Sequence, residues 1–234
     1  MWLASAVGCG RVDFDPLTDA PPHALDGNPA DAATADLVLF LPFNNTFDDV
    51  GRGHTATCAP TCPGFAAGHA ATGAKFDGTA CLRFADVPAF DLPTFTVSVW
   101  VDAVVAGMGG AFVSKPFGAA TSDSWRLAAP SGGGGFLLTT DPGGANQDLA
   151  ITHAATAWQH LAGTYDGTTT RLYLNGIEQA SAPAMPAVFD GNSVYVGCDH
   201  DAGANTRAIT GTIDDVAIYG RALSAAEVAA LAAM

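Results

Sequence analysis

The chain has 234 residues, of which 49% are hydrophobic and 14% charged, with 27 glycines and 14 prolines. That length suits a single all-β unit, and the apolar fraction is ample for a core while excluding wholesale disorder. Net charge is −14, and Lys75, Lys115 and seven scattered arginines form no basic run able to neutralise a phosphate backbone, which excludes nucleic acid as a partner.

Leu3 to Cys9 ends in Ala6-Val7-Gly8-Cys9, small residues before a cysteine. This resembles the end of a bacterial lipoprotein signal peptide. The resemblance implies that residues 1–9 are the tail of a signal and that Cys9 carries the lipid. Residues 10–36 have hardly any periodicity and hold six aspartates but one arginine, so they read as a self-repelling, extended linker. No stretch approaches ~20 unbroken apolar residues, so a membrane is reached only through that lipid. The folded domain is read as 37–234.

Leu37 to Phe43 is an apolar run of strand length, and Asn44 to Gly53 is its turn-forming loop. Ala74 to Asp86 leads into an edge strand. From Thr94 to Val101 the chain alternates, with Phe95, Val97, Val99 and Val101 on one face and Thr94, Thr96, Ser98 and Trp100 on the other, which predicts a half-buried strand. Further strands are predicted around Ala111–Ser114, Trp125–Ala128, Phe136–Thr140, His160–Tyr165, Thr170–Asn175, Ile177–Ala180, Val194–Gly197 and Thr212–Tyr219. Asp166-Gly167 and Asn175-Gly176 supply the positive-φ positions that tight turns require. Ser224-Ala-Ala-Glu227 is a capping box that opens an alanine-rich helix. Strands do not alternate with helices, which disfavours a parallel α/β sheet.

Apart from Cys9 there are four cysteines, an even number that suits an exported, oxidised protein with two bridges. Three connectivities are open. The favoured one closes a local loop with Cys58–Cys62 and links strands with Cys81–Cys198. A zinc site is disfavoured, because Cys58-Ala-Pro-Thr-Cys62 has three intervening residues and neither His54 nor His69 has a second ligand at matching spacing.

Trp158-Gln-His-Leu-Ala-Gly-Thr-Tyr-Asp-Gly-Thr-Thr-Thr-Arg-Leu-Tyr-Leu-Asn-Gly176, the Phe76-Asp77-Gly78 segment, Ile213-Asp-Asp-Val-Ala-Ile-Tyr219 and Arg221 to Leu231 together resemble the laminin-G-like jelly roll of the concanavalin A-like lectin/glucanase superfamily. The resemblance spans about residues 37–233. It implies an all-β fold: an antiparallel sandwich of two sheets with a short C-terminal helix. It also implies one structural Ca2+, held near Asn44 and Asp48, at Asp77, and by Asp214 or Asp215. Calcium accepts six to eight oxygens in loose geometry. The alternative is that Asp48 and Asp77 stabilise their own turns and Asp214 satisfies backbone amides.

Retaining glycosidases need two carboxylates ~5–5.5 Å apart, and the glucanase branch carries them as Glu-x-Asp-x-x-Glu. No such segment exists here. Glu178 and Glu227 are far apart in the chain, and Asp214-Asp215 on a strand point to opposite faces. No Gly-x-Ser-x-Gly elbow is present, and Ser131-Gly-Gly-Gly-Gly135 lacks the lysine of a phosphate loop. The chain is therefore not expected to be an enzyme. Sugar rings stack on exposed aromatic faces, which nominates Trp125, Tyr173 and Tyr195, with Arg126 and Arg171 as polar neighbours. Trp100 and Trp158 match family positions that are generally core. The expected function is a non-catalytic binding or adhesion module on an exported, lipid-anchored bacterial envelope protein, recognising carbohydrate or a glycosylated surface with or without calcium. A protein-interaction or envelope-structural role is the alternative, and a degenerate glycosidase or lyase a more distant one.

Overall fold

A computed structural model describes residues 36–105, 110–119, 121–129, 135–140, 146–151 and 157–234. Cys9, the linker before Asp36 and the Ser131–Gly134 segment lie outside them. The strands are β1 (Leu37–Leu41), β2 (Ala56–Cys58), β3 (Gly64–Ala67), β4 (Thr72–Asp77), β5 (Leu82–Phe84), β6 (Phe95–Val105), β7 (Ala111–Phe117), β8 (Ser122–Ala128) and β9 (Gly135–Thr140). They continue with β10 (Asn146–Ile151), β11 (Gln159–Tyr165), β12 (Thr169–Leu174), β13 (Ile177–Pro183), β14 (Val194–Val196), β15 (Asp199–Asp201), β16 (Ala204–Thr206) and β17 (Thr210–Tyr219), and helix α1 (Ala225–Leu231) follows.

Sheet A runs β13-β12-β11-β6-β17-β4-β3, with β1 also on β17, and sheet B runs β10-β9-β8-β7-β14-β5-β2. β15 and β16 form a separate hairpin. The pairings are antiparallel. The architecture is the expected antiparallel sandwich with a terminal helix.

The core lies between the sheets. Val97 and Val99 of β6, Ile213 and Ile218 of β17 and Phe76 of β4 meet Leu82, Phe84, Val113, Leu127, Val194 and Val196 of sheet B in one buried cluster. Each such side chain contributes ~1.5–3 kcal/mol by leaving water, so the alternation along each strand fixes which face turns inward.

β6 departs from the half-buried expectation, because Thr96 and Ser98 on its other face are buried as well. The chain after β17 folds over this outer face. Thr96 Oγ1 donates to the Arg221 carbonyl at 2.9 Å and accepts from Leu223 N at 2.8 Å. Leu223 and Val228 then pack on Ala162, Tyr173, Ala217 and Tyr219 in a second buried cluster. The capping box forms as expected, with Glu227 N donating to Ser224 Oγ at 3.3 Å and Ser224 N to Glu227 Oε2 at 2.7 Å. Arg221 donates to the same carboxylate and holds it down to about 2.

Both predicted turns close their hairpins. Asn175 and Gly176 sit at φ 49° and 77°, and a Cβ on Gly176 would come within 2.8 Å of Ala229 Cα, so the turn seats α1. Asp166 Oδ1 accepts from Thr168 N and Thr169 N across the other turn.

Candidate functional site

The outer face of sheet B carries a polar row fixed by register. Thr57 pairs with Arg83, Arg83 with Tyr195, Tyr195 with Ser114 and Ser114 with Arg126. Their sequence neighbours Leu82, Phe84, Val194, Val196, Trp125 and Leu127 all lie in the core, as the period of two requires.

At the β5–β14 end of this row opens a cleft of about 420 Å³. Arg83 and Tyr195 form its floor, His200 and Asn205 of the β15–β16 hairpin one wall, and Gly191, Asn192, Ser193 and Ala59 the remainder. The Tyr195 and His200 rings are parallel, 5.0 Å between centroids. Arg83 Nε donates to Ser193 Oγ at 2.9 Å. His200 Nδ1 lies 2.9 Å from Asn205 Oδ1, and the Asn205 amide nitrogen donates to the Ala59 carbonyl. Because that amide nitrogen already donates, Asn205 Oδ1 accepts, which makes His200 Nδ1 the donor of this hydrogen bond.

Two disulfides set the cleft walls. Cys58–Cys62 closes the loop that presents Ala59, and Cys81–Cys198 joins the start of β5 to the start of β15. The two are knitted together, with Ala59 N donating to the Cys81 carbonyl and Cys81 N to the Thr61 carbonyl. Tyr195 packs directly on the Cys81–Cys198 pair.

Charged groups hold the hairpin down beside the cleft. Arg126 Nη1 donates to Asp123 Oδ2 at 2.6 Å and to Asp199 Oδ2 at 2.7 Å. Arg207 Nε lies 3.4 Å from Asp199 Oδ2 and 3.5 Å from Asp201 Oδ2. Three carboxylates thus share two guanidinium groups in a buried place. Burial, then the Asp199 charge, pushes Asp123 up to about 9, so it holds a proton at neutral pH and the cluster is balanced. Asp123 and Asp199 are both fully buried, so this carboxylate pair meets no substrate.

The five residues nominated for ligand contact separate. Tyr195 lines the cleft and Arg126 fastens its hairpin. Trp125 is 0% exposed in the core, because β8 alternates and Leu127 is also inward. Tyr173 lies under the C-terminal segment, 2% exposed, and Arg171 is on sheet A, 2.7 Å from Asp166 Oδ2. The expectation of exposed rings at Trp125, Tyr173 and Tyr195 is corrected by their burial, Tyr195 being 6% exposed although it lines the cleft. Arg83, Asn192, Ser193, His200 and Asn205 were missed. For Arg83 a signal existed, since Cys81-Leu-Arg-Phe84 alternates and turns the arginine outward.

The residues expected to share calcium differ in burial and in partners. Asn44 and Asp48 are exposed. Asp77 Oδ1 accepts from Thr79 N, Thr79 Oγ1 and Ala80 N, which lowers its pKa. Asp214 is buried and accepts from Ala70 N and Asp215 N. Burial pushes Asp214 and Asp215 up to about 6 each, with the charge of Asp215 adding to the effect on Asp214. Among the described residues no group of three His, Cys, Asp or Glu side chains is placed to hold a metal ion. Trp100 is buried on the outer face of sheet A rather than between the sheets, with the His69 ring stacked 3.5 Å away and Trp158 beyond it.

The sequence matches no curated protein. Among solved structures, the chain is 15% identical to the binding domain of Paraclostridial Mosquitocidal Protein 1, with a TM-score of 0.70 over 86% of this chain and 52% of that one. It is 21% identical to domain 4 of AbnA, an extracellular arabinanase from Geobacillus stearothermophilus solved in complex with arabinotriose, with a TM-score of 0.68 over 84% of this chain and 98% of that one. With the binding domain of botulinum neurotoxin DC in complex with SialylT the identity is 11% and the TM-score 0.67, over 86% and 52%. The chain spans about half the length of the two toxin domains. These likenesses establish the fold. The family model described as the concanavalin A-like lectin/glucanases superfamily, Laminin_G_3, matches residues 76–229, and the chain belongs to that family.

Proposed function

We propose that the chain is a non-catalytic module that recognises carbohydrate through the sheet B cleft. The observation that carries this reading is the composition of the cleft: the His200 ring, backed by the parallel and buried Tyr195 ring, beside the hydrogen-bonding side chains of Arg83, Asn192, Ser193 and Asn205, with no carboxylate in the lining. A sugar presents an apolar C–H face and a rim of hydroxyls, and such a ring with such neighbours complements both. Hydrolysis needs an acid and a base or nucleophile at the bond, and the cleft lining offers neither. Domain 4 of AbnA, solved with arabinotriose, and the binding domain of botulinum neurotoxin DC, solved with SialylT, support the reading by analogy of fold.

A glycan array probed with the protein and with Tyr195→Ala and Asn205→Ala tests it. Retention that falls at least tenfold in both variants is expected, and retention indifferent to both overturns it. Adding calcium or chelator to the same array tests the calcium-assisted form. A second reading, contact with an envelope protein, draws on Phe65 of edge strand β3, 38% exposed and stacked on Phe47 at 4.8 Å. A blank array alongside capture of an envelope protein by the parent but not by Phe65→Ser favours it.

We place the module on an exported, lipid-anchored bacterial envelope protein. Its two disulfides suit an oxidising compartment, and among the described residues no helix is long and apolar enough to cross a membrane. Detergent partition of the parent that is lost in Cys9→Ser is the expected outcome, and identical partition overturns the anchor.

A further inference from the structure

We infer that the sheet B cleft is built for a saccharide bearing an anionic group: a uronate carboxylate, a sialate or a sulfate ester. The inference rests on the carbohydrate reading above and names the class of sugar.

The chain carries 23 Asp and Glu against 9 Lys and Arg, so its overall field repels anions. The cleft reverses that locally. Its lining contains Arg83 and His200 and no acidic residue. Lys115, Arg126, Arg171, Arg207 and Arg221 all pair with carboxylates. Arg83 is exposed and, among the described residues, pairs with none. In a chain with 21 aspartates, that leaves a cation in a concave place without a counter-ion of the protein's own.

The guanidinium is also oriented. Nε is held by Ser193 Oγ at 2.9 Å. A guanidinium has five N–H groups in a fixed plane, so the remaining ones stand ready for the two oxygens of a carboxylate or sulfate, the geometry for which arginine is suited. Arg83 pairs with Tyr195 across the strands and lines the same cleft as the His200 ring stacked on it, which places the charge beside the surface that takes the sugar face. Beyond ~8–10 Å the repulsion from the rest of the surface is screened at physiological salt, so the local cation governs binding.

The test is calorimetric titration of the full chain with three matched pairs: trigalacturonate and its methyl ester, sialyllactose and lactose, and a sulfated disaccharide and its unsulfated parent. At least one acidic member is expected to bind roughly ten- to a hundredfold tighter than its neutral twin, the range for a charge-assisted hydrogen bond. Arg83→Gln is expected to abolish that preference at an unchanged thermal midpoint, and Arg83→Lys to keep part of it. Neutral members that bind as well as their acidic twins in every pair overturn the anion inference and leave the carbohydrate reading standing. An absence of heat with all six removes both.

Discussion

Replacing Asp123 by asparagine separates the proton the fold requires from the packing it provides. Asp123 is held to about 9 by burial and by Asp199, whereas in the unfolded chain it titrates near 3.8. Between those values the folded state binds one more proton than the unfolded state. The slope of unfolding free energy with pH is 2.303RT times the protons bound unfolded minus folded, so it is negative and at most ~1.4 kcal/mol per unit. Stability from this group is present below about pH 4 and is lost as pH rises towards 9. Asp214 and Asp215, raised to about 6, act in the same direction at lower pH, and His160, depressed to about 4 by burial, acts oppositely below its usual 6.5. The window from pH 6.5 to 8.5 therefore isolates Asp123. Across those two units the parent is expected to lose up to ~3 kcal/mol relative to Asp123→Asn. Asparagine keeps an oxygen for Arg126 and an amide N–H for Asp199, so it mimics the protonated form. Urea unfolding followed by tryptophan fluorescence at pH 6.5, 7.5 and 8.5 reads the difference. Parallel stability curves for parent and variant would refute the claim that this carboxyl folds with its proton on.

Two further substitutions test how the cleft is framed. Cys81 and Cys198 are 117 residues apart, and loop-closure entropy assigns such a bridge on the order of 4–5 kcal/mol. The Cys81→Ser, Cys198→Ser pair should lower the denaturation midpoint accordingly and weaken saccharide retention, because Tyr195 loses the surface it packs on. Unchanged retention in a folded double variant would show that the bridge does not position the cleft. Gly197 sits at φ 81°, and a Cβ there would lie 1.9 Å from the Phe76 ring. Gly197→Ala should cost roughly 2–5 kcal/mol from left-handed backbone plus overpacking, and Phe76→Leu should recover part of it. A mild, strictly additive effect in thermal melts would place the strain elsewhere.

The fold was legible wherever local pattern and tertiary burial agree. Phe95, Val97, Val99 and Val101 alternate and all face the core, and Asp166-Gly167 and Asn175-Gly176 turn the chain where their φ preferences say. The β15–β16 hairpin was not foreseen, because Asp199-His-Asp201 and Ala204-Asn-Thr206 carry no apolar alternation. It is secured by Arg126, 73 positions away, and by the Cys81 bridge, neither of which leaves a local trace. That hairpin supplies His200 and Asn205, so this wall of the cleft was hidden with it. Tyr195 was found as an aromatic in a strand. Trp125 was misplaced by the same reasoning, since its spacing from Leu127 already turns it inward. The likeness to a sandwich family predicted a capped terminal helix, but not that its lead-in would bury Thr96 and Ser98 on the far face of β6.

Amide chemical-shift mapping of the isotope-labelled chain, titrated with a saccharide retained on the array, bears most directly on the role of the cleft. Shifts concentrated at Arg83, Asn192, Ser193, Tyr195, His200 and Asn205, with the sugar recovered intact, are the predicted result. Shifts clustered on sheet A around Trp100 and Trp158, or a cleaved sugar, would contradict it.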